Sequence, residues 1–293
     1  MSVRTANDSQ VIVKKALALV GQLTTLPEVT LKVMEVVEDP RGTAVELNAV
    51  IKRDPALSTK VLSVVNSAFY GLPGQVADLD RAIVLLGRAA VKNIAVSASL
   101  ARMFTGSKPA DGFDARELWR HSVAVAVAAK AINSAAGNIV PADEVFLAGL
   151  IHDLGLLAER QAFPEKFAEV IRRCAIEEGD FLQSETEVIG ATHQEFGDAL
   201  TARWRFPQRL RAAVGRHHNP EDLPDEQVPM GVILRCADIL CCQEGLGFTL
   251  TARNQEFTRE LFDVVGIAGE RLAEVRDVLA VELAEAEAVL GSR

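Results

Sequence analysis

Aromatic residues are scarce in this 293-residue chain: they make up 5% of it, with a single tyrosine. Because strands favour aromatic and β-branched residues together, this scarcity argues against a β-sheet fold. Alanine, leucine, valine and glutamate dominate instead, a balance that favours helix. With 49% hydrophobic and 24% charged residues, the composition excludes a disordered chain and predicts a folded, all-α protein.

Positive charge is also in deficit. The 31 lysines and arginines are outnumbered by 40 aspartates and glutamates, which leaves a formal net charge of −9. Nucleic-acid binding needs a concentrated basic surface that neutralises phosphates, so we expect no DNA partner. At about 150 residues per domain, the length favours two domains or one large domain.

Long apolar runs are absent as well. The longest, Val145–Leu157 and Gly231–Leu240, are interrupted by charge or fall short of the roughly 20 residues that a membrane span needs. The N-terminus, MSVRTANDSQ, has neither the apolar stretch nor the cleavage site of a signal peptide. We therefore expect a cytoplasmic protein without a membrane partner.

Cysteine is rare, with 4 residues and no CxxC motif. This usage predicts buried free thiols in a reducing cytosol, with a regulatory or metal-binding thiol as the alternative. The four residues are Cys174, Cys236, Cys241 and Cys242.

Helical periodicity is present along most of the chain. In the first 106 residues it predicts a series of short amphipathic helices, and a stretch rich in Gly, Pro and small polar residues at 105–113 marks a boundary. The predicted helices are Val11–Leu23, one that opens at Leu26-Pro27 and reaches Glu38, Ala44–Lys52, one that Asp54-Pro55 caps and starts, and two that are separated at Gly87.

The predicted organisation has three parts: an N-terminal helical lobe (1–106), a second helical lobe (107–250) and a C-terminal segment (251–293) that packs on the body. The last part contains one long helix, Gly269–Leu290. Its apolar side is expected to carry Leu272, Val275, Val278, Leu279 and Leu283. The expected architecture is a two-lobed, all-α bundle closed by a C-terminal helix.

The candidate chemistry lies in the second lobe, where all five histidines fall between positions 121 and 218. Helical period places His121 on an apolar face. His193 shares another such face with Ile189, Phe196 and Leu200. Three further sites complete the pattern: His152-Asp153 after a nearly continuous apolar run, His217-His218 in GRHHNP, and Asp238 within VILRCADILCC.

Burial of these groups calls for a counter-charge. An unpaired carboxylate or imidazolium in an apolar interior costs several kcal/mol, and a divalent cation would satisfy the whole set at once. Imidazole nitrogen and carboxylate oxygen suit Fe, Mn, Zn or Ni rather than Ca. The ordered set His121, His152, Asp153, His193, His217, His218 and Asp238 therefore predicts a mononuclear or dinuclear metal site, with Asp153 placed to lie between two ions. No organic cofactor is expected.

Two alternatives stay open at this point. Each histidine taken alone is more often a satisfied core residue than a ligand, Asp238 could pair with Arg235, and Asp153 could cap a helix. In the first lobe, Thr43–Lys52 and Pro55–Asn66 also have the spacing of a helix-turn-helix. Two packed helices are the preferred interpretation there, because an acidic residue and a proline begin the helix that would read the bases.

Several spaced motifs in this sequence resemble the HDOD family of bacterial signalling proteins. The segments, in order, are LTTLPEV, KRDPALSTKVLSVVNSAFYG, DRAIVLLG, LWRHS, LAGLIHDLG, ATHQEFG and RWRFPQRLRAAVGRHH. They run from about Leu19 to Ile239, and Asp54-Pro55, Asn66-Ser67 and Leu86-Gly87 are the N-terminal signature positions. The resemblance implies an all-α fold related to the HD superfamily of metal-dependent phosphohydrolases, with an HD-like helical core in the second lobe.

The resemblance also implies a ligand set. In the related HD-GYP phosphodiesterases of cyclic di-GMP the metal ligands follow the same order, and carried over by motif they are the seven residues named above. Two features of those enzymes are missing. The lysine of their HDxGK motif is replaced by Leu156, and Asn219–Pro224 has no Gly-Tyr-Pro. An apolar side chain at 156 cannot bind a phosphate oxygen.

The expected function is therefore a non-catalytic regulatory module of the HDOD type. It would act through contacts with signalling proteins, with a nucleotide second messenger as a further expected ligand class. The alternative is a metal-dependent phosphohydrolase or phosphodiesterase that acts on a nucleotide or cyclic dinucleotide.

Overall fold

Helices and their connections make up the described part of the chain. The structure, a computed structural model, describes residues 6–21, 26–67, 70–104, 109–267 and 269–290. Within these ranges no strand forms, and the β pairing is limited to an isolated bridge between Ala110 and Phe113. The predicted all-α class is confirmed.

The α-helices follow one another in chain order with short connections. They are α1 (Ala6–Leu19), α2 (Glu28–Glu38), α3 (Ala44–Ile51), α4 (Pro55–Val65), α5 (Leu79–Leu100), α6 (Ala115–Ala135), α7 (Ala142–Ile151), α8 (Gly155–Ala162), α9 (Pro164–Ile176), α10 (Phe181–Val188), α11 (His193–Arg203), α12 (Gln208–Arg216), α13 (Val228–Gln243), α14 (Arg259–Val265) and α15 (Gly269–Leu290). Short 3-10 helices occupy Ala101–Phe104 and Pro220–Asp222.

Two compact units divide the chain. The large unit comprises residues 1–25 and 107–277, and the small unit comprises residues 26–106 and 278–293. The break at 106/107 falls at the predicted boundary, of which residues 105–108 lie outside the described ranges. The two ends of the chain are assigned differently from the predicted parts 1–106, 107–250 and 251–293. Helix α1 belongs to the large unit and not to an N-terminal lobe, and the residues of α15 are shared between the two units.

The assignment of α1 to the large unit has a physical cause. Its apolar stripe of Val13, Ala16, Leu17 and Val20 is buried, and the helix packs on α8 and α11. It begins at Ala6, before the predicted start, and ends at Leu19. The predicted end at Leu23 lies outside the described residues.

Helix α5 is central to the small unit, since α2, α3 and α4 all pack on it. It breaks at Gly87, where φ is 85° and ψ is 165°, so it consists of two helical segments as predicted. The stretch Leu79–Phe104 is long and apolar enough to cross a membrane, but 61% of its apolar window is buried in the protein. The buried Lys92 ammonium lies 2.8 Å from Glu38, so its charge is paired. The stretch therefore resembles a core helix.

The signature positions of the small unit are structural anchors. Asp54 accepts a hydrogen bond of 2.9 Å from the backbone N–H of Leu57 and caps α4, as predicted. Asn66 follows the last residue of α4, and its side-chain amide bonds both the N–H and the carbonyl of Val76, at 2.7 and 2.9 Å. This paired contact fixes the connection between α4 and α5.

The long C-terminal helix has the predicted bounds. Four of the five apolar residues assigned to one side are buried: Leu272, Val275, Leu279 and Leu283. Val278 is 45% exposed, so its assignment was wrong. It lies one residue, or about 100° of helical rotation, before Leu279, which turns it away from the buried stripe.

The large unit is built around α6, which packs against α7 and α13. Every residue of the apolar run Val145–Ile151 is buried, as predicted. The expected stripe through Ile189 and His193 was wrong in one respect: α10 ends at Val188, and Gly190, at φ 99°, separates Ile189 from the start of α11. His193 is nevertheless fully buried.

A close backbone approach joins the turn after α7 to the start of α11. A Cβ atom on Gly155 would lie 1.9 Å from the carbonyl oxygen of His193 and 2.9 Å from the nitrogen of Gly197. Because both of those atoms are backbone, no side-chain rotation can relieve the overlap. Glycine at 155 is thus a requirement of the packing between α8 and α11.

We expect replacement of the Asp54 cap to weaken the small unit. Asp54→Ala removes the acceptor for the Leu57 N–H and should cost about 1 kcal/mol of the free energy of unfolding. Asp54→Asn keeps a capping oxygen but not the ionic contact with Arg102 at 3.5 Å, and should recover most of that loss. Denaturant unfolding of the three proteins measures this; an asparagine variant as unstable as the alanine variant would contradict the capping role.

We expect a larger effect at Gly155. Gly155→Ala forces α8 and α11 apart and should lower the free energy of unfolding by about 3 kcal/mol or more. Gly269→Ala is the matched control, because a Cβ atom there meets no heavy atom within 4 Å. Equal unfolding midpoints for the two variants would refute the close-packing account.

Candidate metal centre

The seven predicted ligand residues meet in one place in the large unit. His121 projects from α6, His193 begins α11, and Asp238 lies within α13. His152 and Asp153 occupy the turn between α7 and α8, while His217-His218 follow the end of α12. Each of the seven is between 0% and 2% exposed. Residues spread over 118 positions of sequence thus form a single buried cluster.

Asp153 lies at the middle of this cluster. Its Oδ1 atom is 3.4 Å from His193 Nε2 and 3.5 Å from His217 Nε2. Its Oδ2 atom is 3.3 Å from His152 Nε2 and 4.0 Å from His121 Nε2. The two oxygens of one carboxylate therefore face two different groups of histidines, which is the arrangement of a carboxylate between two ions.

Asp238 forms the second acidic point. Its Oδ1 atom lies 3.0 Å from His121 Nε2, and its Oδ2 atom lies 3.9 Å from His218 Nδ1. Arg235, the alternative partner considered from sequence, instead donates a hydrogen bond to the carbonyl of His218. Asp153 does not cap a helix, because both of its oxygens lack a hydrogen-bond partner.

Hydrogen bonds fix the orientation of four imidazole rings. In each ring Nδ1 faces a carbonyl or carboxylate oxygen, which can only accept, so we assign the ring proton to Nδ1. The pairs are His121 with Leu246, His152 with Gly149, His193 with Glu185 and His217 with Val214, at 2.7–3.0 Å. In the neutral rings, each Nε2 then carries a lone pair.

These Nε2 lone pairs converge. His193 Nε2 lies 3.3 Å from His217 Nε2, and two acceptors this close repel one another unless a proton or a cation lies between them. His193 Nε2 is also 3.1 Å from Nε2 of His218, whose Nδ1 faces the side-chain amide of Gln255 at 3.4 Å, so that the His218 Nε2–H can donate to His193. The buried atoms without a hydrogen-bond partner include His152 Nε2, both oxygens of Asp153 and Oδ2 of Asp238. The residues therefore fit a divalent cation.

The ligand atoms are close enough to hold metal in several combinations. Asp153, His193, His217 and His218 offer four atoms that all lie within 4.8 Å of one another. A second combination joins His121, His152 and Asp153 within the same limit. The shared Asp153 makes a dinuclear site geometrically feasible. Metal binding itself stays a prediction.

Charge at the site follows from burial and proximity. Burial would raise the pKa of Asp153, but His152 and the neighbouring histidines hold it well below its usual range. Burial lowers the pKa of His152, yet Asp153 outweighs this effect and raises it to about 9. Burial lowers the pKa values of His193, His217 and His218. Ionised carboxylate and neutral imidazole are the forms that bind metal, so His152 would have to lose its proton to become a ligand.

Sequence reasoning missed the groups behind His193. Glu185 is fully buried and accepts hydrogen bonds from both Nδ1 and the backbone N–H of His193, at 2.9 and 3.2 Å. Burial and Glu185 raise the pKa of Glu159, also fully buried, well above its usual range. A carboxyl group at the Nδ1 atom of a histidine, as Glu185 is at His193, fixes the orientation of the ring and would support it as a metal ligand. Phe181, Glu185 and Ile189 are spaced four residues apart, so a search for polar residues on apolar helix faces would have found Glu185.

A glycine loop supports His121 from the other side. Gly247 has φ 74°, and a Cβ atom there would lie 2.5 Å from the backbone nitrogen of His121. The loop after α13 can therefore run close against α6, where the carbonyl of Leu246 receives the His121 Nδ1–H at 3.0 Å. The N–H of Phe248 bonds the carbonyl of Glu117 in the same contact.

Position 156, where the HDxGK motif has a lysine, is apolar and buried in the structure. Leu156 is 0% exposed and lies in the first turn of α8. It contributes hydrocarbon where a phosphate-binding enzyme of the resembled type has a cation.

The HDOD domain model matches residues 23–220 of this chain, which is more than half of its length and includes every site residue except Asp238. A curated relative, an uncharacterized protein of Treponema pallidum (strain Nichols), is 24% identical over 220 residues, or 74% of this chain. The chain spans 42% of the length of that relative.

Three solved structures share the fold. An HDOD domain protein of unknown function from Geobacter sulfurreducens has a TM-score of 0.79 and 23% identity, covering 97% of this chain and 99% of that one. A protein from Marinobacter aquaeolei VT8, provisionally described as a signal transduction protein, scores 0.77 at 23% identity over 97% of this chain and 65% of that one. A provisionally described phosphohydrolase from Shewanella amazonensis SB2B scores 0.72 at 20% identity over 95% of this chain and 98% of that one.

The family model and the shared helical fold agree on the same stretch of sequence, and this chain belongs to the HDOD domain family.

Proposed function

We propose that this chain is a regulatory module of signal transduction that holds a divalent metal ion in a closed, non-catalytic site. The observation that carries the proposal is the burial of the site: all seven ligand candidates are between 0% and 2% exposed, and Leu156 is 0% exposed. A catalytic metal keeps an open position for water or substrate, whereas a structural metal is enclosed by its protein ligands.

Two sets of groups in the chain would hold the metal. The bonds from Nδ1 to backbone carbonyls and to Glu185 orient the histidines so that Nε2 faces the centre. Asp153 and Asp238 supply negative charge between these rings. When bound, the cation neutralises this charge and links five segments of the large unit.

The partner class is also a proposal. A module without catalysis transmits a signal through the proteins that it contacts, and we propose signalling proteins as partners. The solved structure from Marinobacter aquaeolei VT8, provisionally described as a signal transduction protein, supports this class. A nucleotide second messenger is a further proposed ligand class, and the net charge of −9 disfavours DNA.

We expect the purified protein to carry metal at near-stoichiometric amounts. His152→Ala/Asp153→Ala removes two central ligands and should strongly reduce the metal content, because Asp153 is the carboxylate that lies between the two groups of histidines. Plasma mass spectrometry on protein purified without chelator measures the content. Asp225→Ala/Glu226→Ala, which removes two exposed carboxylates, is the matched control and should keep its metal.

Metal removal should also lower stability. A ligand at 1,000 times its dissociation constant adds about 4 kcal/mol to the free energy of unfolding, which corresponds to roughly 10 °C in Tm for a protein of this size. Chelation should therefore lower the Tm of the wild-type protein by more than that of the double variant. An equal Tm with and without chelator in the wild type would contradict a structural metal.

The second candidate function is metal-dependent phosphoester hydrolysis. It is favoured by the complete set of ligand candidates and by the likeness to the Shewanella amazonensis SB2B protein, provisionally described as a phosphohydrolase. If this function held, metal-loaded wild-type protein would hydrolyse cyclic dinucleotides or an aryl phosphodiester faster than His152→Ala/Asp153→Ala. We expect equal background rates, because Leu156 offers no charge to a phosphate and the site is closed. A tenfold or greater excess for the wild type would overturn the non-catalytic proposal.

A further inference from the structure

A thiol lies at the edge of the cluster, beside Asp238. Cys242 follows Asp238 by four residues on α13, so both side chains project from the same face of the helix. The Cys242 Sγ atom is 3.4 Å from Asp238 Oδ1, which is itself 3.0 Å from His121 Nε2. Ligand atoms of these three residues all lie within 4.8 Å of one another.

These separations suit a shared ion. A tetrahedral metal with bonds of about 2.0–2.1 Å to nitrogen and oxygen and about 2.3 Å to sulfur places its ligands roughly 3.3–3.8 Å apart. The Sγ–Oδ1 separation falls in that range, the Nε2–Oδ1 separation is slightly shorter, and the Nε2 and Sγ atoms lie within 4.8 Å of each other. The three groups are thus close enough to face one cation.

Unpaired buried atoms adjoin this group through Asp238. Asp238 Oδ2 and His152 Nε2 are both buried without a hydrogen-bond partner. Asp238, His152 and His217 form another group with ligand atoms within 4.8 Å of one another. Asp238 therefore lies beside both the Cys242 thiol and the histidine cluster. A cysteine that packed only as a small apolar residue would not need to contact this carboxylate.

We propose that Cys242 is a thiolate ligand, together with His121 and Asp238, of a metal ion at this end of the cluster. Its sulfur would make the centre a mixed nitrogen, oxygen and sulfur site that favours Zn²⁺, Fe²⁺ or Co²⁺ over Mn²⁺ or Mg²⁺. Without metal, the Cys242 thiol donates a hydrogen bond to Asp238. Its proton is released to solvent when the metal–sulfur bond forms. This inference rests on the proposed metal binding and adds a ligand and a metal class to it.

The neighbouring cysteine provides a matched control. Cys241 is as deeply buried as Cys242, but it belongs to none of the metal-sized groups among the described residues. Cys242→Ser and Cys241→Ser make the same chemical change one helical position apart. A general effect of disturbing α13 would be common to both variants, whereas loss of a ligand would be confined to one.

Cobalt provides the readout. Metal-free wild-type protein titrated with Co²⁺ should develop a near-ultraviolet thiolate-to-cobalt charge-transfer band together with visible ligand-field bands. Cys241→Ser should show both. Cys242→Ser should keep ligand-field bands and lose the charge-transfer band, and its Zn²⁺ affinity should fall roughly 10- to 100-fold while its Mn²⁺ affinity changes little.

Each outcome decides between claims. Cobalt binding by the wild type without a charge-transfer band would overturn the thiolate ligand and leave the metal site standing. Failure of the wild type to bind cobalt or zinc at all would overturn both the thiolate ligand and the proposed metal site. Should Cys242→Ser not fold, X-ray absorption of zinc-loaded wild-type protein replaces it: a sulfur scatterer at about 2.3 Å supports the inference, and a shell of nitrogen and oxygen alone refutes it.

Discussion

The large unit depends on one electrostatic constraint: lone pairs that repel one another are enclosed where solvent cannot separate them. His193 Nε2 faces His217 Nε2 at 3.3 Å, and the oxygens of Asp153 lie among these rings without a hydrogen-bond partner. In an apolar interior such a cluster is unfavourable by several kcal/mol unless a cation or protons compensate it. Its surroundings fix the orientation of these rings, because the outer nitrogen of four of them faces an oxygen atom.

The backbone satisfies this constraint at two glycines. At Gly155 the turn that carries His152 and Asp153 comes within van der Waals range of the start of α11, so that Asp153 reaches His193. At Gly247 the loop after α13 lies against α6 and presents a carbonyl to His121. Close backbone approach thus sets the ligand positions, and the aromatic ring of Phe181 packs against His193 at a centroid distance of 5.9 Å. The site is a consequence of how tightly these helices pack.

The pattern of the sequence was sufficient to predict the all-α class, the cap at Asp54, the break at Gly87 and the bounds of α15. It also identified the buried histidines, because polar residues inside apolar runs are conspicuous. It failed where tertiary packing decides. The placement of α1 with the large unit depends on which apolar face accepts its stripe, and the face of Val278 depends on where the buried side of α15 ends. Neither is a local property of the chain.

The same limit explains the site residues that were missed. Glu185 and Glu159 were not singled out in the sequence, and Cys242 was expected to be a buried free thiol with metal binding as the alternative, because the sequence alone does not show which histidines these residues adjoin. Their positions become informative only with the fold: Glu185 contacts a ring eight residues away, whereas Cys242 approaches a histidine 121 positions earlier. The long separation has a physical consequence for the proposed regulatory role. His121 contacts both Asp238 on α13 and the carbonyl of Leu246 in the loop that follows this helix, so the buried cluster is joined directly to the Leu246–Phe248 loop.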